Sequence, residues 1–151
     1  MSHTSPARDV VLQEAVAAIV ARNAAREGPL LPILHDLQAA FGHISENAIR
    51  LVADALNLTR AEVHGVVSFY HDFRRQPAPL PVLKLCRAEA CQARGVDALV
   101  PAAEAAARGR LVLETVYCLG LCAVGPAAMR GDEVHARLDA RALHLLIEAT
   151  A

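Results

Sequence analysis

The sequence has few aromatic residues and no large excess of charge of either sign. It contains no tryptophan, and aromatic residues make up 3% of its 151 residues, so a core has to be built mainly from Leu, Val and Ile. The formal net charge is −1. Proteins that bind nucleic acid usually carry a basic face, and this even balance therefore argues against nucleic acid as a partner.

Long apolar runs are also missing. No uninterrupted stretch approaches the roughly 20 apolar residues that cross a bilayer, so we expect no direct insertion into a membrane. Residues 1–6 lack the charged start and the apolar run of a signal peptide. We therefore expect a cytoplasmic protein. In that reducing compartment, paired cysteines more often bind metals or carry out redox chemistry than form structural disulfides.

The first half of the sequence has the periodicity of four helices. Ser5 and Pro6 are predicted to be the N-cap and first position of a helix over residues 6–26. Ser45 is predicted to cap the third helix, and Thr59 with Glu62 forms a capping box for the fourth. A proline-rich stretch, QPAP, follows at residues 76–79. We place a boundary there, with an all-helical unit over residues 1–76.

The second half, residues 80–151, changes periodicity and predicts a mixed α/β domain. The expected order is strand, helix, strand, strand, helix, which with the helical first half makes the fold class α+β. Asp139 is predicted to cap the last helix. The predicted strands cover residues 82–85, 110–117, 127–130 and 133–137, and the predicted helices cover residues 96–108 and 141–149.

Four cysteines, the only ones in the sequence, form two close pairs. Cys86 and Cys91 follow the first predicted strand of this domain, and Cys118 and Cys122 follow the second. Both pairs are therefore expected in loops at the same edge of one sheet, where they would form a pocket of four sulfurs. Gly120 gives the tighter loop backbone freedom. The apolar residues of that loop, at positions 119, 121, 123 and 124, are expected to exclude water.

Three kinds of site compete for these cysteines. A [2Fe-2S] cluster needs four thiolates on short loops, with backbone N–H groups directed at sulfur. A structural zinc site also uses four cysteines, usually in pairs on knuckle turns. A dithiol redox centre, or a disulfide within each pair, usually has the two-residue separation of a thioredoxin-type motif. The spacing favours the cluster and leaves the other two open.

The sequence contains no recognisable catalytic constellation. Ser68 lacks a Gly-x-Ser-x-Gly context, and no carboxylate or cysteine completes a metal site with His64 and His71. This absence favours an electron carrier over a catalyst of bond chemistry.

Three cations lie close in sequence to the first cysteine pair. Glu89 is the only acid close to them in sequence. The three cations would then stabilise the reduced form of a cluster, which is the more negative form. The alternative is that they are surface charges in contact with solvent. They are Lys84, Arg87 and Arg94.

The cysteine pattern and the helical half together resemble a known family. The cysteine pattern resembles that of the thioredoxin-like [2Fe-2S] ferredoxin family. It consists of C-x4-C and, after 26 residues, C-x3-C in the form CLGLC, with Pro126 shortly after. Residues 30–73 resemble the helical N-terminal region of the 24-kDa subunit of respiratory complex I. Its relatives include subunits of NAD-reducing hydrogenases and the gamma subunit of NAD-dependent molybdenum formate dehydrogenases. The short chain favours the last of these. Gly125 departs from the pattern, since the family often has alanine before this proline.

The resemblance implies a site, a fold and partners. It implies one [2Fe-2S] cluster on Cys86, Cys91, Cys118 and Cys122, held by a thioredoxin-like domain over residues 80–151. It also implies that residues 1–76 act as a docking unit. The expected partners are a flavin-bearing, NAD(H)-binding subunit that exchanges electrons through its FMN, and a further iron–sulfur or molybdenum subunit. The substrate of the complex is then bound elsewhere.

Overall fold

A computed structural model describes residues 6–151, so the predicted N-cap Ser5 lies outside the described residues. The chain divides into two compact units, Met1–Ala78 and Pro79–Ala151. None of the helices in the described part of the chain combines the length and the apolar character needed to cross a bilayer.

Over residues 6–78, the first unit consists of four helices, and local signals explain where two of them begin. Ser45 accepts a hydrogen bond from the Ala48 N–H at 3.1 Å, which confirms the predicted cap. Thr59 and Glu62 form the predicted capping box. The helices are α1 (Pro6–Asn23), α2 (Leu30–Phe41), α3 (Glu46–Leu56) and α4 (Arg60–Phe69).

Helix α1 ends at Asn23, three residues before the predicted end at residue 26. The buried Asn23 side chain donates to the Ile19 carbonyl at 3.0 Å and to Asp36 Oδ2 of α2 at 2.8 Å. Asparagine side chains compete with the backbone for such bonds and favour helix ends. A contact with the next helix therefore accompanies the end of α1, and the hydrophobic periodicity could not predict it.

Apolar stripes from the helices meet in one core in the first unit. Its fully buried members are aliphatic, in keeping with the scarcity of aromatic residues. Phe73 is buried in this core, and the half-buried Phe41 packs against it. The largest of these buried side chains are Ile33, Leu34, Leu37, Ile44, Ile49, Val52, Val63 and Val67.

The second unit is a four-stranded mixed sheet with helices. Strand β1 lies between β2, which is parallel to it, and β3, which is antiparallel, and β4 forms the other edge beside β3. Asp139 caps the last helix by accepting from the Ala142 N–H at 2.7 Å, as predicted. The elements are β1 (Val82–Cys86), α5 (Glu89–Ala93), α6 (Val96–Ala107), β2 (Val112–Val116), β3 (Ala128–Arg130), β4 (Glu133–His135) and α7 (Ala140–Thr150).

The order of strands and long helices agrees with the prediction, but α5 was not predicted. This helix has five residues, which is too short to show a 3.6-residue period, and its N-cap Ala88 makes no side-chain cap bond. Cys91 therefore lies on a helix, and the expectation that it would lie in a loop is wrong. Cys86 and Cys91 belong to the core of this unit, together with Leu83, Leu85, Val96 and Ile147.

Candidate metal centre

The sheet brings the two cysteine pairs together at one edge. Cys86 is the last residue of β1 and is aligned with Val116, the last residue of the parallel strand β2. Cys118 follows two residues after β2, and Cys122 begins a 3₁₀ turn, Cys122–Val124. Because parallel neighbours end at the same edge, residues 32 apart in the chain become neighbours there.

The two pairs differ sharply in their exposure to solvent. Cys86 and Cys91 are each 2% exposed, whereas Cys118 and Cys122 are exposed. Leu119 and Leu121 are only half-buried, and both pack against the core of the second unit. They do not cover the second pair, so the expectation that this loop would exclude water is wrong for Cys118 and Cys122.

The four free thiols are arranged as two close pairs of sulfurs. Cys118 Sγ and Cys122 Sγ lie 3.7 Å apart, and Cys86 Sγ and Cys91 Sγ are in hydrogen-bond contact. Two thiolates on one tetrahedral metal, with metal–sulfur bonds of about 2.3 Å, lie about 3.8 Å apart. In residues 6–151, no three His, Cys, Asp or Glu side chains are gathered around a single-ion position.

Backbone N–H groups are directed at the cysteine sulfurs. Cys86 Sγ accepts from the N–H groups of Ala88, Cys118 and Leu119, which come from both loops. Two further backbone N–H groups also donate to sulfur. The Ala127 N–H donates to Cys91 Sγ, and the Gly120 N–H donates to Cys118 Sγ at 3.4 Å. N–H donors stabilise a charged thiolate, as a metal or cluster ligand requires.

These surroundings shift the thiol pKa values in different directions. Burial opposes ionisation of Cys86, but the hydrogen bonds to its sulfur outweigh burial and lower the pKa of Cys86. Burial, followed by the hydrogen bond with Cys86, raises the pKa of Cys91. The hydrogen bond with Cys118 raises the pKa of Cys122. Neighbouring thiols resist losing both protons because the two negative charges would repel.

The backbone of the exposed pair has an unusual conformation. Cys118 has a φ of 90°, in the region that L-residues rarely adopt, and Gly120 has a φ of 76°. Glycine adopts such angles without a steric penalty, which confirms the predicted role of Gly120 as the flexible residue of the loop. No local signal in the sequence explains the conformation of Cys118. In this conformation the Cys118 N–H is directed at Cys86 Sγ.

The cations near the buried pair have partners that the sequence did not reveal. Arg87 contacts Asp97 of α6 at 2.8 Å, so Glu89 is not the only acid that bears on these charges. Lys84 lies opposite Glu114 in the register of β1 and β2. Asp97 is ten residues from Arg87, and no sequence motif links the two.

Two further residues next to the sulfurs, Gly125 and Ala127, were not predicted as site residues. Gly125 is buried, and a Cβ atom built on it would lie 3.0 Å from Cys91 Sγ. The Ala127 backbone bonds to both buried cysteines, since its carbonyl accepts from the Cys86 N–H at 2.9 Å. Nothing in the sequence indicated that the Gly125-Pro126 segment contacts Cys91.

Comparisons with known proteins agree with the site. The family model described as thioredoxin-like [2Fe-2S] ferredoxin matches residues 16–151. The NADP-reducing hydrogenase subunit HndA of Solidesulfovibrio fructosivorans is 33% identical over 119 residues, which are 73% of this chain and 70% of the relative. A subunit of the NADH-quinone oxidoreductase of Rhizobium meliloti (strain 1021) is 30% identical over 149 residues, 93% of this chain and 89% of the relative.

A solved structure also matches the fold of this chain. A chain of an NAD+-reducing [NiFe]-hydrogenase in the air-oxidized state matches with a TM-score of 0.66 and 28% sequence identity, over 80% of this chain. The match spans only 22% of that hydrogenase chain. With a family model that matches most of its length, the chain belongs to the thioredoxin-like [2Fe-2S] ferredoxin family.

Proposed function

We propose that Cys86, Cys91, Cys118 and Cys122 hold one [2Fe-2S] cluster and that the chain is a one-electron carrier. The observation that carries this proposal is the arrangement of the sulfurs as two close pairs, with a 3.7 Å separation in one of them. The separation of Cys118 Sγ and Cys122 Sγ fits two ligands of one tetrahedral metal, and four thiolates fit the ligand set of such a cluster. When bound, the cluster takes up and releases a single electron.

The protein groups around the sulfurs have two tasks in this proposal. The N–H groups of Ala88, Cys118, Leu119 and Ala127 stabilise the negative charge of the buried thiolates. The core anchors Cys86 and Cys91 and keeps water from them, since each is 2% exposed. No acid, base or nucleophile is needed, because the chain makes and breaks no substrate bonds.

Electron exchange takes place at the exposed pair. Cys118 and Cys122 are exposed, and Tyr117, adjacent to them in sequence, is 76% exposed. Exposed aromatic residues are common anchors in protein interfaces. A redox partner that covers Tyr117 would approach the sulfurs of this pair more closely than those of the buried pair.

The partner in this proposal is a flavin-bearing, NAD(H)-binding subunit of an oxidoreductase complex. The relatives support it, because their names describe subunits of an NADP-reducing hydrogenase and an NADH-quinone oxidoreductase. The predicted domain over residues 80–151 holds the cluster, and the predicted helical unit over residues 1–76 adds docking surface. Phe69 at the end of α4 is 73% exposed and supports the second role. The complex is cytoplasmic in this proposal.

Among such complexes we assign the chain to an NAD-dependent molybdenum formate dehydrogenase, on the basis of the sequence resemblance. A further iron–sulfur or molybdenum subunit then accompanies the flavin subunit. A hydrogenase or a complex I-type assembly is the alternative, which the relatives named above favour. Co-purification distinguishes them: molybdenum with formate oxidation supports the assignment, whereas nickel or membrane subunits contradict it.

Metal and sulfide analysis of the purified chain tests the cluster. Two irons and two acid-labile sulfides per chain, with a visible spectrum and an EPR signal on reduction, are expected. One zinc per chain in a colourless protein would instead identify a zinc-stabilised interaction module. Four freely titratable thiols in the protein as isolated would indicate a dithiol oxidoreductase.

A further inference from the structure

Residues 125–127 pass directly beside the sulfur of Cys91. A methyl group built on Gly125 would lie 3.0 Å from Cys91 Sγ and 3.4 Å from Cδ of Arg94. Carbon atoms in favourable contact lie about 3.5–4.0 Å apart, and sulfur is larger than carbon. Any side chain at position 125 therefore requires the sulfur, the arginine or the backbone to move.

The backbone conformation of Gly125 does not itself require glycine. Its φ of −63° and ψ of 167° lie in the extended region that all L-residues adopt. In this chain, at a position where the family often has alanine, glycine is thus favoured by the close approach of the Cys91 sulfur and the Arg94 side chain.

The 125–127 segment cannot easily move away from Cys91. The carbonyl before it, of Val124, accepts from the Arg137 N–H at 2.8 Å, and the Pro126 carbonyl accepts from the Leu138 N–H at 3.1 Å. The Ala127 carbonyl accepts from the Cys86 N–H at 2.9 Å. Moving the segment outward would lengthen these backbone hydrogen bonds, and losing those of the buried residues Cys86 and Leu138 is costly.

The sulfur of Cys91 is held from its own side as well. Cys91 is 2% exposed and its N–H donates to the Ala88 carbonyl at 2.9 Å. Its sulfur contacts that of Cys86 and accepts from the Ala127 N–H. A close-packed interior leaves little free volume for a displaced sulfur atom.

We propose that Gly125 is a positioning residue for the Cys91 sulfur. Its missing side chain lets the 125–127 backbone lie directly against that sulfur. The consequence for a bound cluster rests on the proposed function. Hydrogen bonds to the sulfurs help to set the reduction potential, and a weaker N–H···S bond stabilises the more negative reduced form less. A methyl group at position 125 is therefore expected to lower the potential.

A double-mutant cycle on the full-length, cluster-free chain tests the contact itself. Gly125→Ala is compared in the parent chain and in Cys91→Ala, where the sulfur is absent. We expect Gly125→Ala to shift the unfolding equilibrium toward the unfolded state by about tenfold in the parent and far less with Cys91→Ala. Equal effects in both backgrounds would overturn the proposal. A parent variant too unstable to fold, with a double variant that folds, supports it.

Gly65→Ala is the matched control for this cycle. Gly65 lies in α4, and a methyl group built on it meets nothing within 4 Å. Gly65→Ala is expected to change stability equally whether residue 91 is cysteine or alanine.

The cluster-loaded chain provides the second measurement. With Gly125→Ala we expect a lower reduction potential, a changed EPR spectrum and roughly tenfold faster iron loss to a chelator. A cluster-loaded Gly125→Ala variant with the same potential, spectrum and iron retention as the parent chain would overturn the proposal. If the parent chain binds no cluster at all, the proposed function fails, while the cluster-free cycle still decides the role of Gly125.

Discussion

The two cysteine pairs occupy one site but belong to different parts of the second unit. Cys86 and Cys91 are core residues, at a strand end and on a short helix, and each is 2% exposed. Cys118 and Cys122 are exposed and lie on a loop in which Cys118 has a positive φ. One pair thus has the surroundings of a packed interior and the other those of a binding surface.

This difference divides the tasks of a redox site between the pairs. The buried pair provides a fixed base with N–H donors and little water, which favours retention of a cluster. The exposed pair provides access, which an electron carrier needs at one edge. Four cysteines with equal exposure would give either a protected site that partners cannot approach or an open site that solvent attacks.

Removal of one ligand from each pair should have the largest effect. Cys86→Ala and Cys122→Ala are both expected to lose most of the cluster, since each removes one of four ligands. The two variants should differ in stability when no cluster is bound. Cys86→Ala costs about 1 kcal/mol because it leaves a cavity in the core, whereas Cys122→Ala, at an exposed position, should leave stability nearly unchanged. Visible and EPR spectra measure the first effect, and denaturant unfolding measures the second.

A full cluster signal in either variant would show that the ligands are misassigned. Ser68→Ala is the control for cluster content, because the Ser68 hydroxyl donates to the Gly65 carbonyl of its own helix, α4. That variant is expected to bind a full cluster.

The exposed pair should react faster with a thiol reagent than the buried pair. In the folded, cluster-free chain we expect Cys118 and Cys122 to be alkylated at least about tenfold faster, because Cys86 and Cys91 require local opening. Mass spectrometry of peptides after timed alkylation measures each rate. Four equal rates in the folded chain would contradict the comparison, and in denaturant the rates should become similar.

Removal of the aromatic ring beside the exposed pair should slow electron exchange while leaving the cluster unchanged. Tyr117→Ala is expected to reduce the rate of electron exchange with the flavin-bearing partner by about fivefold. The reason is that an interface anchor contributes about 1 kcal/mol or more of binding free energy. Rapid-mixing reduction through the reconstituted complex measures it, with the visible spectrum as a check on the cluster. Leu145→Ala on α7, where the leucine is 57% exposed, is the control. Equal slowing by both variants would exclude a specific role for Tyr117.

Removal of a cation near the buried pair should have the smallest effect. Arg87→Gln is expected to lower the reduction potential, because a positive charge stabilises the more negative reduced cluster. Its exposed pairing with Asp97 limits the shift to roughly 45 mV, equivalent to about 1 kcal/mol. Asp97→Asn should raise the potential. A redox titration measures both shifts, and a rise with Arg87→Gln would contradict this electrostatic picture.

Much of the fold could be predicted because its signals are local. Ser45, Thr59 and Asp139 each cap a helix that begins at the next residue, and the structure contains all three cap bonds. The strand before Cys86 ends at that cysteine as predicted. A capping residue acts within one helical turn, so the sequence contains the whole interaction.

Other features could not be predicted because they join distant parts of the chain. The helix around Cys91 is too short for periodicity, and Asn23 ends α1 while bonded to Asp36 of the next helix. The ion pair between Arg87 and Asp97 forms because the chain turns between β1 and α6. Such contacts depend on packing that local propensity does not describe.

The amino-acid order alone specifies four sulfurs in two pairs, each shortly after a strand, with a glycine in the tighter loop. The folded chain decides which pair is buried, which N–H groups meet each sulfur and why Gly125 lies against Cys91. The reason is physical: spacing along the chain is a local property. Burial and hydrogen bonding at Cys86 depend on Ala127, which is 41 residues away in sequence and adjacent in the sheet region.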